Sequence, residues 1–229
     1  MKKFLLSNGC SFLAKRNGIN RHTGVLLAED FGLKNIDLAA CGRGNDRIVV
    51  TTKMFFYEHP ERIKDTFVLI GWTNPARVDY INNYHEEKGW LPTGECGESW
   101  FSVKDKLKKA PTWGTYKKVD NYGNIVAKMF RHTLELQDFF ENLGIKYCMY
   151  HSLDILPYGT KINIGMLSLL KENIDIDTFY GLTQDSQATF ICNNKPDFVV
   201  SEIDLHPSKE GHEAWAKKIK TFIGNNDLL

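Results

Sequence analysis

Two spacings of hydrophobic residues alternate along the chain. Short, continuous apolar runs, bounded by glycine or asparagine, are typical of strands that are buried on both faces. Between these runs, apolar residues recur every three or four positions, as on one face of a helix. We predict strands at residues 3–7, 35–40, 66–70, 145–150 and, as a last short strand, 198–200. We predict helices at residues 23–31, 45–58, 125–142, 165–172 and 209–223.

Alternating strands and helices indicate an α/β fold. The sequence therefore predicts a three-layer α/β/α sandwich in which helices cover both faces of a mostly parallel sheet of about five strands. Asn45 is a candidate cap for the second helix. No repeat, low-complexity tract or linker interrupts the pattern, so we expect residues 1–229 to form a single domain.

An aromatic-rich segment at about residues 80–124 breaks this rhythm. It has no sustained period, and three of the five tryptophans lie in it: Trp90, Trp100 and Trp113. We interpret it as an insertion in the domain. Its rings either cover the functional site, where they would contact a substrate, or pack together as a small core or a dimer contact.

Composition narrows the possible partners. The net charge is +1 and the apolar fraction 42%, which fits an ordinary globular protein and gives no support for nucleic-acid or membrane-surface binding. The five cysteines show no CxxC spacing, so no disulfide framework or zinc site is predicted. The apolar run at residues 4–6 is too short for a signal peptide. We expect a cytoplasmic protein without a membrane span, and the sequence leaves its oligomeric state open.

Candidate chemistry lies at opposite ends of the chain. Ser11 directly follows the first predicted strand, and His206 precedes the last predicted helix, with Asp204 two residues before it. A serine becomes a nucleophile when a base takes its proton, and a histidine base needs a partner that fixes its tautomer. In a parallel sheet, the loops beyond the carboxyl ends of the strands build the site, so the fold can bring these residues together.

Four short blocks, in order along nearly the whole chain, resemble those of the SGNH (GDSL-type) hydrolase family. The blocks are Gly9-Cys10-Ser11, Gly42-Arg43-Gly44-Asn45, Gly71-Trp72-Thr73-Asn74 and Asp204-Leu205-His206-Pro207, the last followed by Gly211-His212. In the first block, Cys10 stands where the family's Gly-Asp-Ser motif has aspartate. The resemblance implies the α/β/α sandwich of this family, with its strands in flavodoxin-like order. It also implies a serine esterase that needs neither a metal ion nor another cofactor.

The resemblance also implies a role for each block. Ser11 would be the nucleophile and His206 the general base. The oxyanion hole would comprise the backbone N–H of Ser11, the backbone N–H of Gly42, with Gly44 as the alternative, and the side-chain amide of Asn74. Donors already aimed at the developing oxyanion are what this chemistry requires.

The acid of the triad departs from the family pattern. The family places it three residues before the histidine, where this chain has Ile203. Asp204 is our candidate for orienting His206. Glu202 and a serine–histidine dyad oriented by a backbone carbonyl are the alternatives.

Further residues near these blocks are candidates for substrate binding. They are Arg47, Arg77 and Trp72. We expect a small-molecule or carbohydrate ester as substrate, such as a carbohydrate O-acetyl ester, cleaved through an acyl-enzyme on Ser11. Two rivals stay open: an acyltransferase using the same serine, and a non-catalytic binding protein on a hydrolase scaffold.

Overall fold

The structure is a computed structural model that describes residues 2–16, 18–75, 77, 80–81, 90–91, 122–154, 165–182 and 185–229. Its strands are β1 (Phe4–Gly9), β2 (Lys34–Asp37), β3 (Thr66–Trp72), β4 (Tyr80–Ile81), β5 (Trp90–Leu91), β6 (Lys146–His151) and β7 (Phe179–Tyr180). Five of them form one parallel sheet in the order β2-β1-β3-β6-β7. The predicted sheet of about five strands is confirmed, and its order is that of a flavodoxin-like fold.

Helices follow the strands in turn. They are α1 (Thr23–Asp30), α2 (Asn45–Glu58), α3 (Tyr122–Leu143), α4 (Gly165–Glu172), α5 (Gln187–Asn193) and α6 (Lys209–Asn225), with a 3₁₀ helix at Pro60–Asp65. The predicted helices match α1, α2, α3, α4 and α6 in type and, to within a few residues, in extent. Asn45, expected as a cap, is instead the first residue of α2, and Gly44 is its N-cap.

Alternate residues of the central strands point to opposite faces of the sheet and divide the core into two layers. Val68 and Ile70 of β3 pack with α2 and α3 on one face. Phe67 and Leu69 pack with α1 and α6 on the other. All seven residues of β3 are buried, which explains its uninterrupted apolar sequence, because a central strand of such a sheet is covered on both sides.

The last predicted strand is wrong. The fifth strand of the sheet is β7, a two-residue strand paired with β6. Val199, within the predicted strand, forms only an isolated antiparallel bridge with Pro207. The residues at 198–200 are apolar for another reason: Val199 belongs to a small hydrophobic cluster with Cys10, and Phe198 packs against that cluster. This cluster lies beside the loop that carries His206.

The predicted insertion lies almost entirely outside the described residues. Of its backbone, the structure describes the antiparallel pair formed by β4 and β5 and the start of α3. The interpretation of its aromatic residues and the single-domain organisation therefore stay predictions.

Among the described helices, none combines the length and the apolar character that crossing a bilayer would require.

Candidate active site

Ser11 lies in a tight turn at the carboxyl end of β1. The carbonyl of Cys10 accepts hydrogen bonds from the N–H groups of Leu13 at 2.9 Å and Ala14 at 3.1 Å, so the chain turns as soon as the strand ends. Gly9 allows this end of β1 to lie close to β3, since a Cβ there would come within 2.8 Å of the Gly71 carbonyl oxygen. The turn holds the Ser11 side chain at the rim of the sheet, 4% exposed.

His206 lies in a short hairpin-like loop before α6. Val200 donates its N–H to the carbonyl of His206 at 2.9 Å, and Ser201 donates to the carbonyl of Asp204 at 3.1 Å. Ser208 then caps α6, accepting the N–H of Gly211 at 3.1 Å. These contacts fix the loop at both ends, so the imidazole has a defined position.

The structure brings Ser11, His206 and Asp204 together. Ser11 Oγ lies 2.8 Å from His206 Nε2, and His206 Nδ1 lies 2.5 Å from Asp204 Oδ1. The same carboxylate oxygen accepts the backbone N–H of His206 at 3.2 Å, so the two-residue offset closes a local turn onto the ring. A carboxylate at Nδ1 keeps the proton on that nitrogen and leaves the Nε2 lone pair facing the serine.

The alternatives to Asp204 have less support in the geometry. Glu202 is exposed, and in place of the backbone carbonyl that a serine–histidine dyad would use, His206 Nδ1 has the carboxylate of Asp204 as its partner. Ile203, at the family's usual acid position, is 97% exposed.

The surroundings of His206 favour its neutral form. Burial of the ring is the largest cause that lowers its pKa, and the positive charges of Arg16 and Arg77 lower it further, while the hydrogen bond that the ring donates to Asp204 and the charge of that carboxylate raise it. The ring also packs against that of Phe12, with centroids 5.1 Å apart. A neutral imidazole is the form that can accept the serine proton.

A small cleft opens beside this triad. It is lined by Ser11, Arg16, Ile19, Val200, His206, Pro207 and His212. Arg16 reaches across it, with Nη1 3.0 Å from His206 Nε2 and Nη2 3.4 Å from Asp204 Oδ2. Arg16 was missed from the sequence because it lies in an irregular segment with no motif or periodicity to mark it.

His212, which the sequence places just after the histidine block but without a role in the site, also lines the cleft. It lies on the buried face of α6, and its Nδ1 accepts the backbone N–H of Thr23 at 3.3 Å. A neutral ring whose Nδ1 accepts carries its proton on Nε2. Burial, together with the charges of His22 and His206, lowers its pKa to about 3. His212 thus contributes a neutral side chain to the cleft; its place one turn after the histidine block was the available signal.

The candidate oxyanion-hole residues lie on neighbouring strand ends. Of these, Ser11 lines the cleft. Gly42 follows β2 with a φ of +74°, a conformation that favours glycine, whereas Gly44 is extended. Asn74 follows β3, and its Nδ2 donates to the backbone carbonyl of Asp154 at 3.3 Å.

Asn45 joins the start of α2 to the end of β3. Its Nδ2 donates to the carbonyl of Thr73 at 3.1 Å, and its Oδ1 accepts the N–H of Thr73 at 3.0 Å. This buried, two-way pairing fixes the residue directly before Asn74 to the start of α2. The asparagine of the second block thus positions the third block.

The three candidate substrate-binding residues have different surroundings. Trp72 has no exposed surface and packs in the core with α2 and α3, so burial removes it from the substrate side. Arg47 is half-buried on α2 and does not line the cleft. Arg77 is also half-buried, and its charge acts on His206. Within the described part of the chain, no group of three or more histidine, cysteine or acidic side chains is arranged to hold a metal ion.

Comparisons with known proteins give a match in structure but not in sequence. No family model matches the chain, and no curated protein matches it. The esterase EstA from Pseudoalteromonas sp., in a structure inhibited by monoethylphosphonate, aligns over 98% of both chains with a TM-score of 0.54 and 15% identity.

Two further solved structures resemble the chain over nearly their full lengths. A lipolytic protein of the G-D-S-L family from Desulfitobacterium hafniense covers 96% of this chain and 99% of its own, with a TM-score of 0.51 and 14% identity. TesA covers 98% and 99%, with a TM-score of 0.56 and 10% identity. The resemblance seen in the four sequence blocks is therefore confirmed for the fold: the chain has the α/β fold of the SGNH (GDSL-type) hydrolases.

Proposed function

We propose that this protein is an SGNH-type serine esterase that cleaves small acyl esters through an acyl-enzyme on Ser11. The observation that carries the proposal is the continuous hydrogen-bonded chain from Ser11 Oγ through His206 to the carboxylate of Asp204. Fold alone does not determine activity, but three groups in these roles at the rim of this sheet are the arrangement that acyl transfer needs.

Each step has a residue to perform it. Ser11 Oγ attacks the acyl carbon while its proton passes to His206 Nε2. The imidazolium that forms is stabilised by Asp204, and Nε2 then delivers the proton to the departing alcohol oxygen. Water, deprotonated by the same nitrogen, attacks the acyl-enzyme, and the proton returns to Ser11 as the acid leaves.

The oxyanion hole in this proposal comprises the backbone N–H groups of Ser11 and Gly42 and the amide of Asn74. Two contacts support it: Ala40 donates its N–H to the carbonyl of Gly9 at 3.2 Å, which holds the chain before Gly42 against the end of β1, and the Asn45–Thr73 pairing fixes the residue before Asn74. Removing one such donor costs roughly 100- to 1,000-fold in rate.

Small acyl groups suit the cleft. Arg16 spans the cleft beside Ser11, from His206 to Asp204, which leaves space for a short acyl group. An acetyl ester, including one on a carbohydrate, is therefore the preferred substrate class on the acyl side.

The decisive experiment compares Ser11→Ala with Ser168→Ala. Ser168 is exposed on α4, so its change controls for loss of a hydroxyl outside the site. We expect a fluorophosphonate probe to label the wild type and S168A but not S11A, and S11A to lose ester hydrolysis while keeping its far-ultraviolet circular dichroism.

The pH dependence gives an independent reading of the same mechanism. Because the pKa of His206 is lowered, the base stays neutral to a lower pH than an ordinary histidine, and the acid limb of kcat/KM should have its midpoint below 6.5. A folded wild type that takes no label and hydrolyses no ester would refute the proposed function.

A further inference from the structure

Arg16 occupies the place that the leaving alcohol of an ester needs. Its Nη1 lies 3.0 Å from His206 Nε2, the nitrogen that Ser11 Oγ approaches at 2.8 Å. In the proposed mechanism, Nε2 passes its proton to the alcohol oxygen, so that oxygen must also approach Nε2. The alcohol half of the substrate therefore meets the guanidinium before any other charged group of the cleft.

The guanidinium is poorly matched to its present partners. The imidazole is neutral at rest and becomes a second cation when it takes the serine proton. Asp204, the single carboxylate found within 4.0 Å of Arg16 in the described part of the chain, is 3.4 Å from Nη2. Charge-assisted hydrogen bonds are usually about 2.7–2.9 Å long, and this carboxylate is already engaged by the ring of His206.

A second guanidinium adds to the positive charge. Arg77 has a buried Nη1 without a hydrogen-bond partner among the described residues. Its charge, like that of Arg16, lowers the pKa of His206. Among the described residues, two guanidiniums thus act on the imidazole, against the carboxylate of Asp204. A further negative charge on the substrate would balance them when the imidazolium forms.

We infer that the site selects esters whose leaving alcohol carries an anionic group, a carboxylate or a phosphate, and that Arg16 binds this group. The inference rests on the proposed hydrolase function. Binding the anion turns Arg16 away from Nε2 and leaves the lone pair of that nitrogen to Ser11. Ile19 and Val200, which line the same cleft, contact the apolar part of the alcohol.

The test uses two esters that differ in one charge. These are 4-acetoxybenzoate, whose leaving group is anionic, and its neutral methyl ester. We expect Arg16→Gln to lower the ratio of kcat/KM for 4-acetoxybenzoate to kcat/KM for the methyl ester by about 10- to 100-fold, the usual effect of losing a hydrogen bond to a charged group. Comparing variant with wild type on each ester cancels their different intrinsic reactivities.

Matched controls separate charge from position. Arg21 is exposed and paired with Glu29 outside the cleft, so Arg21→Gln should change neither ester. Arg16→Lys keeps the charge without the planar fork and should fall between the wild type and R16Q on 4-acetoxybenzoate. An equal loss on both esters would overturn the inference in favour of a purely structural role, and so would no loss on either.

The side of the ester that carries the charge is tested in the same way. 4-Nitrophenyl hemisuccinate places the carboxylate on the acyl group instead. If R16Q impairs this ester more than 4-acetoxybenzoate, the anion lies on the acyl side and the assignment to the leaving alcohol is wrong.

A binding measurement keeps this inference separate from the proposed function. Calorimetry on Ser11→Ala, with 4-hydroxybenzoate and its methyl ester as ligands, needs no turnover. We expect the anion to bind more tightly, and the preference to vanish in the double variant S11A/R16Q. If the wild type hydrolyses nothing but this preference is present, the proposed function fails while the anion site stands. If the wild type cleaves esters but S11A binds 4-hydroxybenzoate no more tightly than its methyl ester, the proposed function stands and the anion site is wrong.

Discussion

Asp204 is two residues before His206 rather than three, and the consequence of this offset is local. The carboxylate accepts from both the ring and the backbone N–H of His206, so one side chain orients the base and shapes its loop. An asparagine at this position keeps the shape but cannot stabilise an imidazolium.

We therefore predict that Asp204→Asn lowers kcat by a factor on the order of 10² to 10⁴, with KM nearly unchanged, in steady-state assays on 4-nitrophenyl acetate. Glu202 is exposed two residues upstream and offers a matched control. Glu202→Gln should retain wild-type activity. The reverse pattern would make Glu202 the orienting acid, and full activity in both variants would support a serine–histidine dyad.

At the scale of single residues, the sequence predicts side chains whose spacing is tied to strand ends. Ser11 follows this rule because it comes directly after β1, whereas His206 lies before α6 and was predicted from the sequence block that contains it. Arg16 and His212 do not follow this rule, since their places in the cleft depend on how the serine turn and α6 pack. No spacing in the sequence encodes that packing.

Gly211 shows how tightly α6 lies against the chain segment before the His206 loop. A Cβ at this position would clash with the carbonyl oxygen of Phe198, the same oxygen that accepts the N–H of Ser208 at 2.9 Å. Backbone cannot move aside as a flexible side chain would. The N-terminus of α6, and with it the loop of His206, would have to shift.

We predict that Gly211→Ala lowers both the melting temperature and kcat/KM. Gly224 lies in the same helix, and a Cβ there meets nothing within 4 Å. Gly224→Ala should leave activity intact and stabilise the fold by about 0.5–1 kcal/mol. Equal melting temperatures for G211A and wild type in differential scanning calorimetry would contradict this account.

Elements were predictable where they are long and deeply buried. β3 is recognisable as a continuous apolar run because all of its residues are buried. α6 is recognisable because its buried residues recur at helical spacing. β7 consists of two residues, too few to show any period, whereas the apolar residues at 198–200 imitate a strand. The same limit applies to Trp72: a tryptophan at a strand end has the same appearance in sequence whether it faces a substrate or the core.

The whole molecule carries buried histidines that resist protonation. Burial lowers the pKa of both His151 and His212 to about 3. In the unfolded chain, these groups take up protons near pH 6.5. Since the unfolded state binds more protons between about pH 6.5 and pH 3, the free energy of unfolding must fall as the pH falls through that window.

We predict that each of these histidines lowers the free energy of unfolding by up to about 1.4 kcal/mol per pH unit of acidification. Urea unfolding at pH 7, 6 and 5 measures this slope. His151→Gln removes one titrating group and should flatten the slope, whatever its effect on stability at pH 7. His59, which is exposed, gives the matched control His59→Gln. A slope in H151Q equal to that of wild type would contradict the prediction.

The distance along the chain between Ser11 and His206, 195 positions, has a consequence for biosynthesis. α1, which follows the serine turn, and α6, which follows the histidine, share one layer of the core through Leu27 and Trp215. A nascent chain on the ribosome exposes the serine early, while its base is still untranslated or inside the exit tunnel. The hydroxyl therefore gains its partner only when the last helix docks, and premature termination upstream of that helix yields a polypeptide with an inert serine.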